Sequence, residues 1–97
     1  MRDYSLLFPD HFDEEAPIIA SKGRLDGVTI IAGRERYLPE FYDPVRLEQT
    51  VADEVARSGH AALDNIIVVP EVTRARIEGA VRRLADERFV SLRPRPR

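Results

Sequence analysis

The sequence predicts a small α/β domain of the two-layer α+β sandwich type, with a mixed four- to five-stranded sheet and two amphipathic helices. Two stretches, residues 44–58 and 74–88, carry apolar side chains at helical spacing. Between them, residues 66–69 (Ile-Ile-Val-Val) form an unbroken β-branched run. Ahead of the first helix, residues 28–32 and 35–42 flank a Gly33-Arg34 turn signal. The resulting order is β-β-β-α-β-α-β, with two strand–helix–strand units that favour parallel neighbours.

Each element has a local cause. Residues 1–17 are acidic, with Asp10, Asp13, Glu14 and Glu15 between Pro9 and Pro17. Tyr4, Phe8 and Phe12, four apart, mark this stretch as a segment that docks on the body. Ile18, Ile19 and Ala20 then read as a strand ending in a Ser21-Lys22-Gly23 turn. Pro39 inside the 35–42 strand cannot donate to a ladder, which places that strand at a sheet edge or a bulge.

Asp43 is a good N-cap, Pro44 suits the first helical turn, and Gly59 supplies the C-terminal stop. At about 100° per residue, Leu47, Val51, Val55, Ala52, Val45 and Ala56 share one half of that helix. The 66–69 run lacks polar alternation and reads as a central strand buried on both faces. Thr73 caps the second helix, whose stripe is Ile77, Val81, Leu84, Ala80 and Ala85. Residues 89–92 read as a last short strand, and the Arg-Pro tail, 93–97, as extended and mobile.

The chain has 97 residues, 15 basic and 17 acidic, for a net charge of −2. That length makes residues 1–97 a single domain. A domain of this size buries roughly 60–65% of its unfolded surface, so one core carries its stability. The charge balance argues against a protein that coats nucleic acid or an acidic membrane. With no cysteine there is no disulfide framework or thiolate site, which suits a reducing cytoplasm. The longest aliphatic run is too short to cross a bilayer. Of the 15 basic residues, 14 are Arg, spread along the whole chain as a GC-rich bacterial genome would produce.

Few residues suggest chemistry. The glycines form neither a G-x-G-x-x-G nor a G-x-x-x-x-G-K pattern, so no nucleotide loop is written here and no cofactor is expected. His11 lies among acids but without the spacing of a zinc or calcium loop, so no metal site is assigned. His60 follows a helix end, where the dipole favours a cation, and it forms no triad by sequence alone. Glu48 falls within the apolar half of the first helix, so it marks a possible small-molecule pocket or a salt bridge.

Residues 74–97 hold eight Arg against three acids. Ladders Arg74–Glu78–Arg82–Asp86 and Arg83–Glu87 at helical spacing absorb most of that charge. Arg76, Arg88, Arg93, Arg95 and Arg97 are left over as candidate nucleic-acid contacts. Arg34, Arg36, Tyr37, Phe41 and Tyr42 interleave cations with aromatics on the expected edge strand. Edge backbone and aromatic anchors point to a non-catalytic protein-interaction domain, binding a protein partner or forming a homodimer by strand pairing. Size, acidity and mixed fold would suit a small bacterial accessory or immunity-type protein.

Overall fold

In the computed structural model of the chain, which describes residues 3–95, two three-stranded sheets and three helices make up a mixed α/β fold. The elements are β1 (Ser5–Leu7), α1 (Phe12–Lys22), β2 (Arg24–Leu25), β3 (Thr29–Ala32), β4 (Glu35–Tyr37), β5 (Glu40–Tyr42), α2 (Pro44–Ser58), β6 (Ile66–Val68) and α3 (Arg74–Asp86). One sheet has the order β1-β3-β4 and is antiparallel. The other has the order β2-β5-β6, with β2 antiparallel and β6 parallel to β5.

The hairpin and helix signals hold. Gly33, at φ 62°, opens the two-residue turn between β3 and β4, as a type II′ hairpin requires. Asp43 accepts the Arg46 N–H at 2.7 Å, and Gly59 stops α2 in the left-handed region at φ 82°. Thr73 caps α3, accepting the Arg76 N–H at 3.4 Å.

Several expectations are corrected. Residues 18–20 belong to α1, because Phe12, Ala16 and Ile19 recur at helical spacing and turn Phe12 and Ile19 into the core. The single strand expected over 35–42 is two, β4 and β5, parted at Leu38-Pro39. Pro39 cannot continue the β4 ladder, and the chain crosses there from one sheet to the other. Residues 89–92 form turns rather than a strand: Arg88 and Phe89 adopt φ 58° and 57°, which ends α3 at Asp86 and carries Phe89 into the core. Two such residues in succession cost about 1–2 kcal/mol each, against which stands the burial of Phe89 beside Tyr37 and Tyr4.

The core joins Ile30 and Tyr37 of one sheet to Leu25, Phe41 and Ile67 of the other, with Ile77, Val81 and Ala85 of α3 and Phe12 and Ile19 of α1. Arg74 fastens the amino-terminal segment to α3. Its guanidinium lies 4.2 Å from the Phe8 ring centre and 2.8 Å from Asp13. By contrast α2 has no buried residue, so its apolar half does not lie sealed on a sheet; Val45 and Val55 are exposed.

The tail expected to be mobile is tethered as far as Arg95. Arg93 donates its N–H to Asn65 Oδ1, Asn65 Nδ2 donates to the Arg93 carbonyl, both at 2.7 Å, and Arg95 N–H donates to the Arg36 carbonyl. The tail thereby occupies an outward backbone acceptor of β4. Arg97 lies outside the described residues.

Candidate functional site

The largest departure from expectation sets the site. The aliphatic run 66–69 reads as a mid-sheet strand, yet among the described residues β6 pairs with β5 alone and forms an edge. β5 takes the centre because the chain passes from β5 through α2 to β6, while β2 fills its other side. The Asn65 carbonyl accepts the Glu40 N–H and the Val69 N–H donates to the Tyr42 carbonyl, both at 2.9 Å. Backbone groups alternate along a strand, so the Ile66 and Val68 peptide groups face away from β5. Among the described residues no hydrogen-bond partner outside the ladder takes them.

Alongside this edge runs α3. Ile77, Val81 and Ala85 face the core, and the adjoining helix face leaves two cavities against β6. One, of about 340 Å³, is lined by Ile66, Ile67, Ala80, Leu84, Ser91 and Leu92. The next, of about 580 Å³, is lined by Val68, Val69, Pro70, Ala75 and Gly79. Ala80 and Arg83 border both, so together they form one groove between an edge strand and a helix. Gly79 sits in mid-helix, where glycine costs about 1 kcal/mol relative to alanine. A Cβ there would meet nothing within 4 Å, so packing inside the chain does not require the glycine.

The charges on α3 differ from the expected ladders. Arg74 pairs with Asp13 and reaches Glu78 at 3.9 Å, but Arg82 and Arg83 have no carboxylate within 4.0 Å among the described residues. Conversely Arg76, expected to be loose, reaches Glu71 at 3.7 Å, and Arg93 reaches Asp64 at 3.7 Å. Asp13 of α1 adds a second partner to Arg74, and Glu71, just ahead of the helix, takes Arg76. Arg76, Arg82 and Arg83 border the second cavity, with Asp86 beside them. Arg88 and Arg95 are exposed and lie apart from this groove.

The aromatic edge is corrected in part: β4 lies at a sheet edge as expected, while β5 is central. Tyr37, Phe41 and Tyr42 are 7%, 0% and 3% exposed, so they belong to the core and cannot anchor a partner. Phe41 and Tyr42 lie on the central strand β5, and only Arg34 and Arg36 of that set are exposed. The Tyr42 hydroxyl accepts from Arg24 Nε and donates to Glu40 Oε1, each at 3.1 Å. That hydrogen bond is the main reason the Arg24 guanidinium is raised above its ordinary pKa.

Glu48 is exposed and borders neither half of this groove. The His60 ring lies 3.2 Å from the Ser58 carbonyl, and His11 lies 4.0 Å from Glu15, both at the surface. Among the described residues no group of three His, Asp or Glu could hold a metal ion. A separate open cleft of about 870 Å³ is lined by Asp3, Gly33, Glu35, Tyr37, Asp86 and Arg88. Burial, and then the Glu35 carboxylate, raise the Tyr37 hydroxyl above its ordinary pKa.

No helix among the described residues is long and apolar enough to cross a membrane. The sequence of β6 does not mark the β6–α3 groove, because an all-aliphatic run looks the same at an edge as in a centre. One signal was present, the glycine inside an otherwise regular helix stripe. No protein-family model, curated protein or solved structure significantly matches the chain.

Proposed function

We propose that the chain is a non-catalytic protein-interaction domain that binds an extended segment of its partner by strand addition at β6. The observation that carries this reading is the outward-facing backbone of Ile66 and Val68 beside the apolar groove under α3. In strand addition, main-chain hydrogen bonds supply affinity and pockets for alternate side chains supply selectivity. The groove is lined by aliphatic side chains and guanidinia, with the carboxylates of Asp86 and Glu87, the Ser91 hydroxyl and no imidazole among the described residues, a set that suits binding rather than acyl or phosphoryl transfer. A second copy presenting its own β6 is the homodimeric form of the same interaction. A cysteine-free, mildly acidic domain of this kind fits a cytoplasmic accessory or immunity-type role.

The test uses a short capped peptide alternating threonine with valine. Amide hydrogen exchange at Ile66 and Val68 slows when the peptide binds, and Val68→Pro, which removes an outward N–H, abolishes the slowing. Unchanged exchange at both amides under saturating peptide refutes strand addition.

A phosphate-binding role for loose arginines is the second reading. The observation favouring it is that Arg82 and Arg83 are neighbours with no carboxylate within 4.0 Å among the described residues.

A further inference from the structure

Resting on the strand-addition reading, we infer that the β6–α3 groove selects a segment carrying an aliphatic residue and a carboxylate two positions apart, both facing α3. The two halves of the groove differ in chemistry. The half beside Leu84 and Leu92 is walled by Ile66, Ile67 and Ala80, with Arg83 and Glu87 of opposite charge at its border, and an aliphatic side chain fits it. The half beside Pro70 is bordered by Arg76, Arg82 and Arg83 against the single acid Asp86, and an anion fits it.

A strand rises about 3.3 Å per residue and presents every second side chain to the same face. Side chains at positions i and i+2 of an added strand therefore enter the two halves in turn. Gly79 lies in the wall of the cationic half, where the open space above its Cα admits the incoming chain. Among the described residues Arg82 and Arg83 have no carboxylate within 4.0 Å, so a carboxylate brought to them displaces none of the ion pairs seen there. Their planar donors match a carboxylate in a way an ammonium does not. Asp86 and Glu87 on the same helix oppose a carboxylate, and the cationic half still carries three guanidinia, of Arg76, Arg82 and Arg83, against the one carboxylate of Asp86.

The experiment compares three capped peptides with a threonine background: one with a Val-Thr-Glu core, one with the reversed Glu-Thr-Val core, and one with lysine in place of glutamate. Binding is followed by fluorescence anisotropy and by the amide shifts of Ile66, Val68, Gly79 and Arg83. One of the two acidic peptides binds at least about tenfold more tightly than the lysine peptide. The preference weakens with added salt and inverts in the double variant Arg82→Glu, Arg83→Glu, which touches only exposed side chains.

Equal binding of acidic and lysine peptides, with Ile66 and Val68 still shifted, overturns the selection for a carboxylate and leaves strand addition standing. No shift at Ile66 and Val68 with any peptide overturns both. Oligothymidylate that shifts Arg83 but not Ile66 or Val68 assigns the arginines to nucleic acid instead. A dimer joined through β6 at the working concentration, unmoved by any peptide, makes a second copy the occupant and overturns the proposal.

Discussion

Asn65 holds Arg93 by its backbone alone: carboxamide oxygen and nitrogen each meet a main-chain group of Arg93 at 2.7 Å. The side chain thus stands in for a strand neighbour, and its position at φ 55° is one that asparagine tolerates better than most residues. The tail leaves this clamp to reach β4 through Arg95 and the Arg36 carbonyl. It therefore bridges the start of β6 in one sheet to the edge of the other.

Asn65→Ala removes both hydrogen bonds and places alanine in a left-handed conformation. We expect a loss of about 1–2 kcal/mol, read as a lower denaturation midpoint with an unchanged slope. Amide exchange at Arg93 and Arg95 should accelerate ahead of the core. Asn65→Asp, which keeps the acceptor for the Arg93 N–H, should retain part of the clamp.

Gly79 separates folding from binding. Gly79→Ala should stabilise the chain by about 0.5–1 kcal/mol, since glycine in a helix is the costlier residue and nothing crowds the new methyl. Gly79→Leu should leave the fold intact and fill the groove, so that peptide binding disappears while the denaturation midpoint stays at or above that of the parent. A midpoint that falls in both variants would show that the glycine serves packing.

Phe41 and Arg36 carry opposite expectations. Phe41→Ala empties a fully buried site on the central strand and should cost about 3–5 kcal/mol. Arg36→Glu lies on an exposed position and should change stability by no more than about 0.5 kcal/mol. Thermal unfolding of the two variants checks both figures.

Tyr37 predicts an alkaline weakness. Burial and the nearby Glu35 raise its pKa in the folded chain above the ordinary value of 10.0. A folded-state pKa that is raised contributes stability that is fully present below the unfolded value and is lost as pH climbs through the folded one. The native chain should therefore lose stability above about pH 10, and Tyr37→Phe should flatten that loss. Tyrosinate absorbance, followed with pH in both proteins, gives the titration directly.

The readable parts of this fold were those governed by neighbours in sequence. Asp43, Pro44 and Gly59 bound α2 at both ends, Thr73 starts α3, and Gly33 turns the β3–β4 hairpin, because caps and turns depend on backbone groups a few residues away. The α/β class followed from the same signals. The candidate site was much less legible. Tyr37, Phe41 and Tyr42 have the composition of an interface, but β2 and β6 enclose Phe41 and Tyr42 on β5, and Phe89 packs on Tyr37 of the edge strand β4.

The sequence by itself determined the caps, the turns, the two long helices and the absence of a cysteine framework. Tertiary structure alone decided that the Ile66–Val68 strand ends a sheet, that Asp13 joins Glu78 as a partner of Arg74, and that the tail lies against β4. The physical reason is common to all three. Strand order and ion pairing are set by residues distant in the chain, and an aliphatic run carries no mark of whether a neighbour stands on one side of it or on both.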